Sequence, residues 1–230
     1  MLKRVYVPIS LVITLMALVG FWRTYFGHVV TGTINTIPLI HFHAAVYVLW
    51  LLLFIGQVTL AATGHLTLHK RLGPWLMGLG VLVIVMGLAI TFERFGAEIA
   101  AGNLAVGQRK LFGPLRDMVF FAPFLWAGWN WRHKPEIHKR LMIVATTILL
   151  IAAVGRMIFL GRPVPEWKFL LIWPLPVYIG MVHDFLTKKL IHPVYIIGIF
   201  AMLLMRLSLP LRTTELWLKF SGWLATLYNS

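Results

Sequence analysis

A chain of 230 residues that is 60% hydrophobic and 12% charged, with a mean hydropathy of +0.84, is not composed like a soluble globular domain, where about a quarter of residues carry charge. Its formal charge of +14 sits in short loops between apolar runs, which is how membrane topology is encoded and argues against nucleic acid as a partner. The absence of cysteine excludes disulfides, thiolate metal sites, iron–sulfur clusters and thiol nucleophiles.

The expected fold class is an all-α integral membrane protein, one membrane domain over residues 1–230, with about seven transmembrane helices. Continuous apolar runs fall near 5–22, 42–62, 74–92, 117–131, 141–160, 169–186 and 193–210. The first follows Lys3 and Arg4 and is long enough to be a retained span rather than a cleaved leader. The fourth is short and needs either an earlier start, before Arg116, or an extension through Trp129 and Trp131. The tail from 211 to 230, with Trp217 and Trp223 among Lys and Thr, reads as an interfacial helix.

The loops GHLTLHKRLG, NWRHKPEIHKR and HDFLTKKLIHP are short and basic, which places them and the N-terminus in the cytoplasm and the C-terminus on the opposite side of the inner membrane. The opposite face carries one long connection, ERFGAEIAAGNLAVGQRKLFGPLRD. The tetrapeptide HKRL occurs at 69–72 and again at 138–141, each copy at the head of an inward-to-outward span. Spans two–three and four–five therefore read as two hairpins in parallel repeat. Topology signalling accounts for the Lys and Arg of HKRL, but not for its His.

Six of the nine histidines (His65, His69, His133, His138, His183 and His192) fall at the expected cytoplasmic edge. Histidine ligates metals and carries protons, and facing helix ends can build such a site. The candidate cofactor-binding set is His69, His138, His65 and His183 with Lys70 and Arg140; the candidate metal set is His69, His138, His183 and Asp184. His65 and His69 share a helical face only if Gly64 and Gly73-Pro74 leave that stretch helical.

Other polar residues lie within the spans. His138 and Arg156 are 18 residues apart, five whole turns, so one stripe through Met142, Ala145, Leu149 and Ala152 joins them. Arg156 lies inside an apolar run, with Phe159 and Leu160 beyond it, and calls for a partner, Asp117 first and Glu93 second. Arg206 in the seventh run raises the same question. On span two, His43, Tyr47, Trp50, Phe54 and Gln57 make one aromatic and polar face. Gly73, Gly80 and Gly87 in span three recur every seven residues, as a seam for close helix packing does.

Gln57, then Leu68-His69-Lys70-Arg71-Leu72-Gly73, then Ile137-His138-Lys139-Arg140-Leu141-Met142 running to Arg156, resembles a family of bacterial multi-pass membrane proteins of unknown function. Its pattern has Gln before His-Arg-x-x-Gly, and later His-Arg-x-x-Met with an Arg 18 residues on. The likeness covers roughly residues 40–160. Lys70 and Lys139 stand where the pattern has Arg, Leu141 where it usually has an aromatic, and Ile143-Val144-Ala145 where the helix is usually more polar. The resemblance implies His69, His138, Gln57 and Arg156 as a set and brings no activity. In architecture alone the chain is also similar to b561-type haem cytochromes, which implies a haem with His69 and His138 axial and Lys70, Arg71, Lys139 or Arg140 near the propionates.

No run contains a lysine for a retinal Schiff base, and no hydrolase constellation can be assembled. Three function classes follow. The first is a redox protein binding haem b or a transition metal, with a quinone or other membrane subunits as partners beside the bilayer. The others are a structural or assembly subunit of a larger complex and a proton-coupled transporter.

Overall fold

The computed structural model describes residues 5–158 and 166–228, and every regular element among them is helical. Lys3, Arg4, Phe159, Leu160 and the last two residues of the tail lie outside the described residues. Helix α1 (Tyr6–Phe21) continues through a π-helical turn, Trp22–Phe26, into α2 (Gly27–Val30). Then come α3 (Pro38–Ala62), α4 (Leu66–Ala100), α5 (Leu104–Asn130), α6 (Pro135–Leu149) and α7 (Ile151–Ile158). The chain ends with α8 (Glu166–Ile172), α9 (Leu175–Lys188), α10 (Pro193–Leu207) and α11 (Glu215–Thr226).

Among the described residues, four stretches are long and apolar enough to cross a membrane: Tyr6–Val30, Pro38–Ala62, Leu66–Ala100 and Pro193–Thr213. The bent pairs α6–α7 and α8–α9 raise the number to six if each is one span. The fourth run is the exception. Its helix α5 has 27 residues, about 40 Å at 1.5 Å per residue, so length is not the obstacle. Its first half carries Gln108, Arg109, Lys110, Arg116 and Asp117, which dilute the apolar signal. Tertiary packing nonetheless sets α5 between α4 and α6.

Helices α3, α4, α5 and α6 pack in sequence, and α1 closes the ring by packing on both α3 and the α6–α7 pair. One core runs through all of them: Ile9 and Ile13 from α1, Trp50 and Phe54 from α3, Val83 from α4, Phe121 from α5, Val144 and Ile148 from α6. The seam expected in α4 is partly used. A Cβ on Gly80 would stand 2.8 Å from Leu125 and 2.9 Å from Trp50, and one on Gly87 would stand 2.9 Å from Met118, whereas Gly73 has open space.

The long connection expected between spans three and four is not a loop. Helices α4 and α5 run through it and meet at a three-residue turn, Ala101 to Asn103, where Gly102 takes a φ of +74° that only glycine adopts freely. The tail docks on this hairpin: Ala225 packs with Phe95 and Leu111, the Trp217 indole donates to the Gln108 carbonyl (3.1 Å), and the Gln108 amide donates to the Leu218 carbonyl (3.0 Å).

The fifth run bends by 45° between α6 and α7. Thr146 and Thr147 donate their hydroxyls back to the Met142 and Ile143 carbonyls (both 2.8 Å), and the buried Trp173 indole donates to the Thr147 carbonyl (2.9 Å). A side chain inserted into the backbone ladder is a recognised cause of such a kink. The bend breaks the stripe expected from His138 to Arg156: Met142 and Ala145 are buried, Leu149 half-buried and Ala152 exposed.

Candidate functional site: paired histidines at one end of the bundle

The two HKRL histidines meet. His69, in the first turn of α4, and His138, in the first turn of α6, have ring centroids 6.3 Å apart and ring planes at 78°. The two helices are separated by α5, so the rings approach across the end of the bundle rather than along a shared helix contact. Each ring is tied to the helix before its own. His138 Nδ1 lies 2.7 Å from the Gly128 carbonyl of α5, and His69 Nδ1 lies 3.2 Å from the Gln57 carbonyl of α3. A carbonyl only accepts, so His138 carries its proton on Nδ1, and the neutral ring keeps its lone pair on Nε2.

Gln57, 5% exposed, lies against the backbone beside His69. Oriented to satisfy both neighbours, its amide accepts from the Gly73 N–H (3.2 Å) and donates to the His69 carbonyl (3.1 Å). Pro74, directly after Gly73, has no N–H to give to the Lys70 carbonyl four residues back. Helix α4 runs without interruption from Leu66 through Pro74, where the Gly73-Pro74 pair had suggested a break. The same amide nitrogen lies 2.6 Å from His69 Nδ1. That contact needs a lone pair on Nδ1, while the bond to the Gln57 carbonyl needs a proton there. The two Gln57 contacts call for opposite states of Nδ1, so Gln57 holds the His69 ring in place without fixing which ring nitrogen carries the proton.

His65 and Lys70 do not join this pair. His65 is exposed at the N-terminus of α4, where its Nδ1 bonds the Thr63 hydroxyl (2.9 Å), and Gly64 turns the chain with a φ of +87°. Lys70 is also exposed. The expected metal set divides as well: among the described residues, no group of three or more His, Asp or Glu side chains converges as a metal centre. His183 and Asp184 belong to a second cluster instead.

In that cluster Arg140 is fully buried and faces the fully buried Asp184 of α9. Its Nε and one terminal nitrogen donate to the two carboxylate oxygens (2.8 and 2.5 Å), and its other terminal nitrogen donates to the Glu136 carbonyl (2.5 Å) and carboxylate (2.9 Å). Glu136 also takes Lys139 (2.6 Å) and Lys188. The Lys139 ammonium lies 4.8 Å over the Tyr6 ring and the Arg140 guanidinium 5.6 Å over Tyr195. His183 packs edge-on to Tyr6, and its Nδ1 is 3.8 Å from Asp184, beyond hydrogen-bond reach. Arg140 is thus spent on Asp184 rather than on a haem propionate, and Asp184 is its counter-ion rather than a metal ligand. Sequence reading missed Tyr6, Glu136, Lys188 and Tyr195; the one available signal was Glu136 and Arg140 at a four-residue helical spacing.

At the opposite end the expected Arg156–Asp117 pair does not form. Asp117 is held by its neighbour Arg116 (3.1 and 2.7 Å), which also donates to the Met205 carbonyl (2.9 Å). Arg156 is carried toward α1 by the bend at Leu150, donates to the Ala152 carbonyl (2.9 Å), and lies 4.8 Å over the Phe21 ring. Arg206 pairs with Glu166 (2.9 Å) and covers the Phe169 ring (4.4 Å). His43 stacks on Tyr47, with centroids 4.4 Å apart, on the face of α3 that also turns the fully buried Trp50 inward.

Compared with known proteins, the chain matches no family model, no curated protein and no solved structure.

Proposed function

We propose that His69 and His138 would hold a single haem b through their imidazoles in a membrane electron-transfer protein. The reading rests on one observation: two imidazoles 6.3 Å apart, each tied through Nδ1 to a carbonyl of the preceding helix. The proton on His138 Nδ1 leaves its Nε2 lone pair available, and a His69 that donates from Nδ1 to the Gln57 carbonyl would offer the same. An Nδ1–H held by a carbonyl is the usual partner that orients a ligating histidine and raises its basicity. The donor set suits haem, which brings its own equatorial nitrogens, better than a bare ion that takes three or four protein ligands.

In this reading the chain forms seven spans, with α3–α4 and α5–α6 as two parallel hairpins that each deliver one histidine. The histidine end faces the cytoplasm of an inner membrane, as the basic loops imply. Haem bound there would supply one-electron chemistry; the chain would supply the two imidazoles, the His138 tautomer fixed through Gly128, and a rigid mounting through Arg140 and Asp184. A quinone or a neighbouring subunit is the matching redox partner. The interior between the two ends is filled by Trp50, Phe121 and Leu125, which gives a transport path no support.

The test is the absorption spectrum of detergent-purified protein, oxidised and then reduced with dithionite. A reduced-minus-oxidised α-band that is lost in both His69→Ala and His138→Ala is expected. A flat spectrum from folded wild-type protein expressed with ample haem overturns the reading, and leaves a structural subunit whose histidines fasten hairpin ends.

A further inference from the structure

We propose that the cleft between α1 and α7, at the end of the bundle away from the paired histidines, binds an anionic membrane lipid: its phosphate-bearing headgroup and the upper part of an acyl chain. The cleft has a volume of about 490 Å³ and is lined by Leu15, Leu18 and Val19 below, and by Trp22, Arg23 and Arg156 above. Its placement follows from the helices. Arg156 is 18 residues beyond His138 along α6 and α7, about 27 Å of helix path, and Arg23 is 17 residues beyond Tyr6, which sits in the Arg140 cluster.

Its shape comes from two backbone features. Gly20 lets α1 lie against α7, since a Cβ there would stand 2.4 Å from the Ala153 carbonyl oxygen, and this contact forms the floor. Just beyond it α1 loosens into the π turn Trp22–Phe26, closed by the Gly27 N–H on the Trp22 carbonyl. Such turns recur at binding sites because they redirect side chains by a fraction of a turn. Here Trp22 and Arg23 both reach the cleft.

The charge identifies the occupant. A guanidinium has five N–H donors, and Arg156 spends one on the Ala152 carbonyl while its face rests on Phe21. Neither Arg156 nor Arg23 forms an ion pair with a carboxylate among the described residues. Two cations on an apolar groove, beside a tryptophan, match an amphiphile with a phosphate at the interface and a chain in the hydrocarbon. A charge within a span calls for such a partner, and a lipid phosphate supplies it without a buried acid. This inference is independent of the haem reading.

The experiment is native mass spectrometry of the full-length protein released from nanodiscs of mixed phosphatidylglycerol and phosphatidylcholine. Wild type is expected to retain one phosphatidylglycerol per chain in preference to phosphatidylcholine. Arg23→Gln/Arg156→Gln should lower that preference at least about tenfold, while Arg23→Lys/Arg156→Lys keeps part of it. Added inorganic phosphate should not displace the retained lipid, because the acyl chain contributes to binding. Equal retention of the two lipids by wild type, which needs no variant to fold, overturns the proposal, as does an unchanged preference in the Gln pair. Displacement by inorganic phosphate overturns the lipid as occupant.

Discussion

Arg140 and Arg156 lie on the same bent helix pair, α6–α7, 16 residues apart, and meet opposite fates. Arg140 is fully buried, with its donors matched to the Asp184 and Glu136 carboxylates and the Glu136 carbonyl. Arg156 is half-buried, bonded to one carbonyl and resting on one ring. The difference lies in what the neighbouring helices bring. Helix α9 turns Asp184 inward at one end, while α1 offers Phe21, Trp22 and Arg23 at the other. A cation within a span can thus be neutralised by the protein, which locks helices together, or left for something from outside the chain.

The largest expected effect comes from breaking the closed site. Asp184→Ala strands a buried guanidinium and should cost about 3–5 kcal/mol in reversible unfolding in detergent. The double variant Arg140→Met/Asp184→Leu should recover most of that loss; if it is as unstable as the single, the ion pair contributes more than the relief of an uncompensated charge. Next, Gly20→Val places atoms where the Ala153 backbone stands and should cost about 1–3 kcal/mol by prying α1 from α7, measured in the same way.

Trp173→Phe addresses the bend that separates the two arginines. It removes the indole donor from the Thr147 carbonyl in a buried site, for a loss of about 1 kcal/mol. It should also bring the α6–α7 angle closer to straight, which distance measurements between spin labels at the two ends of the span would report. The smallest effect belongs to the open site. Arg156→Gln should leave stability within about 0.5 kcal/mol, since it breaks no ion pair among the described residues. A loss as large as that of Asp184→Ala would mean that Arg156 is closed after all, and would remove the asymmetry.

Much of the site was legible because it repeats. His69 and His138 carry the same tetrapeptide at the head of two helices, and the structure sets their rings side by side. The inward face of α3 was readable from three- and four-residue steps, and Trp50, Phe54 and Gln57 are buried as that spacing requires. The Arg140 assignment failed for a different reason. Its partner Asp184 is 44 residues away, and no local pattern tells a cation that orders a helix end from one that reaches across to another helix.

By itself the sequence determined the helices, their apolar character and the pairing of the HKRL segments, because hydropathy, helical periodicity and an internal repeat are properties of neighbouring residues. Only the tertiary structure decided that α4 continues through Gly73-Pro74, that the expected outer loop is a helical hairpin, and that Asp117 belongs to Arg116 while Arg156 turns to α1. Groups from distant helices meet the backbone at two of these places: Gln57 at the Gly73 N–H, and Trp173 at the Thr147 carbonyl beside the bend that carries Arg156 toward α1. Such contacts are made by packing geometry, which no local stretch of sequence encodes.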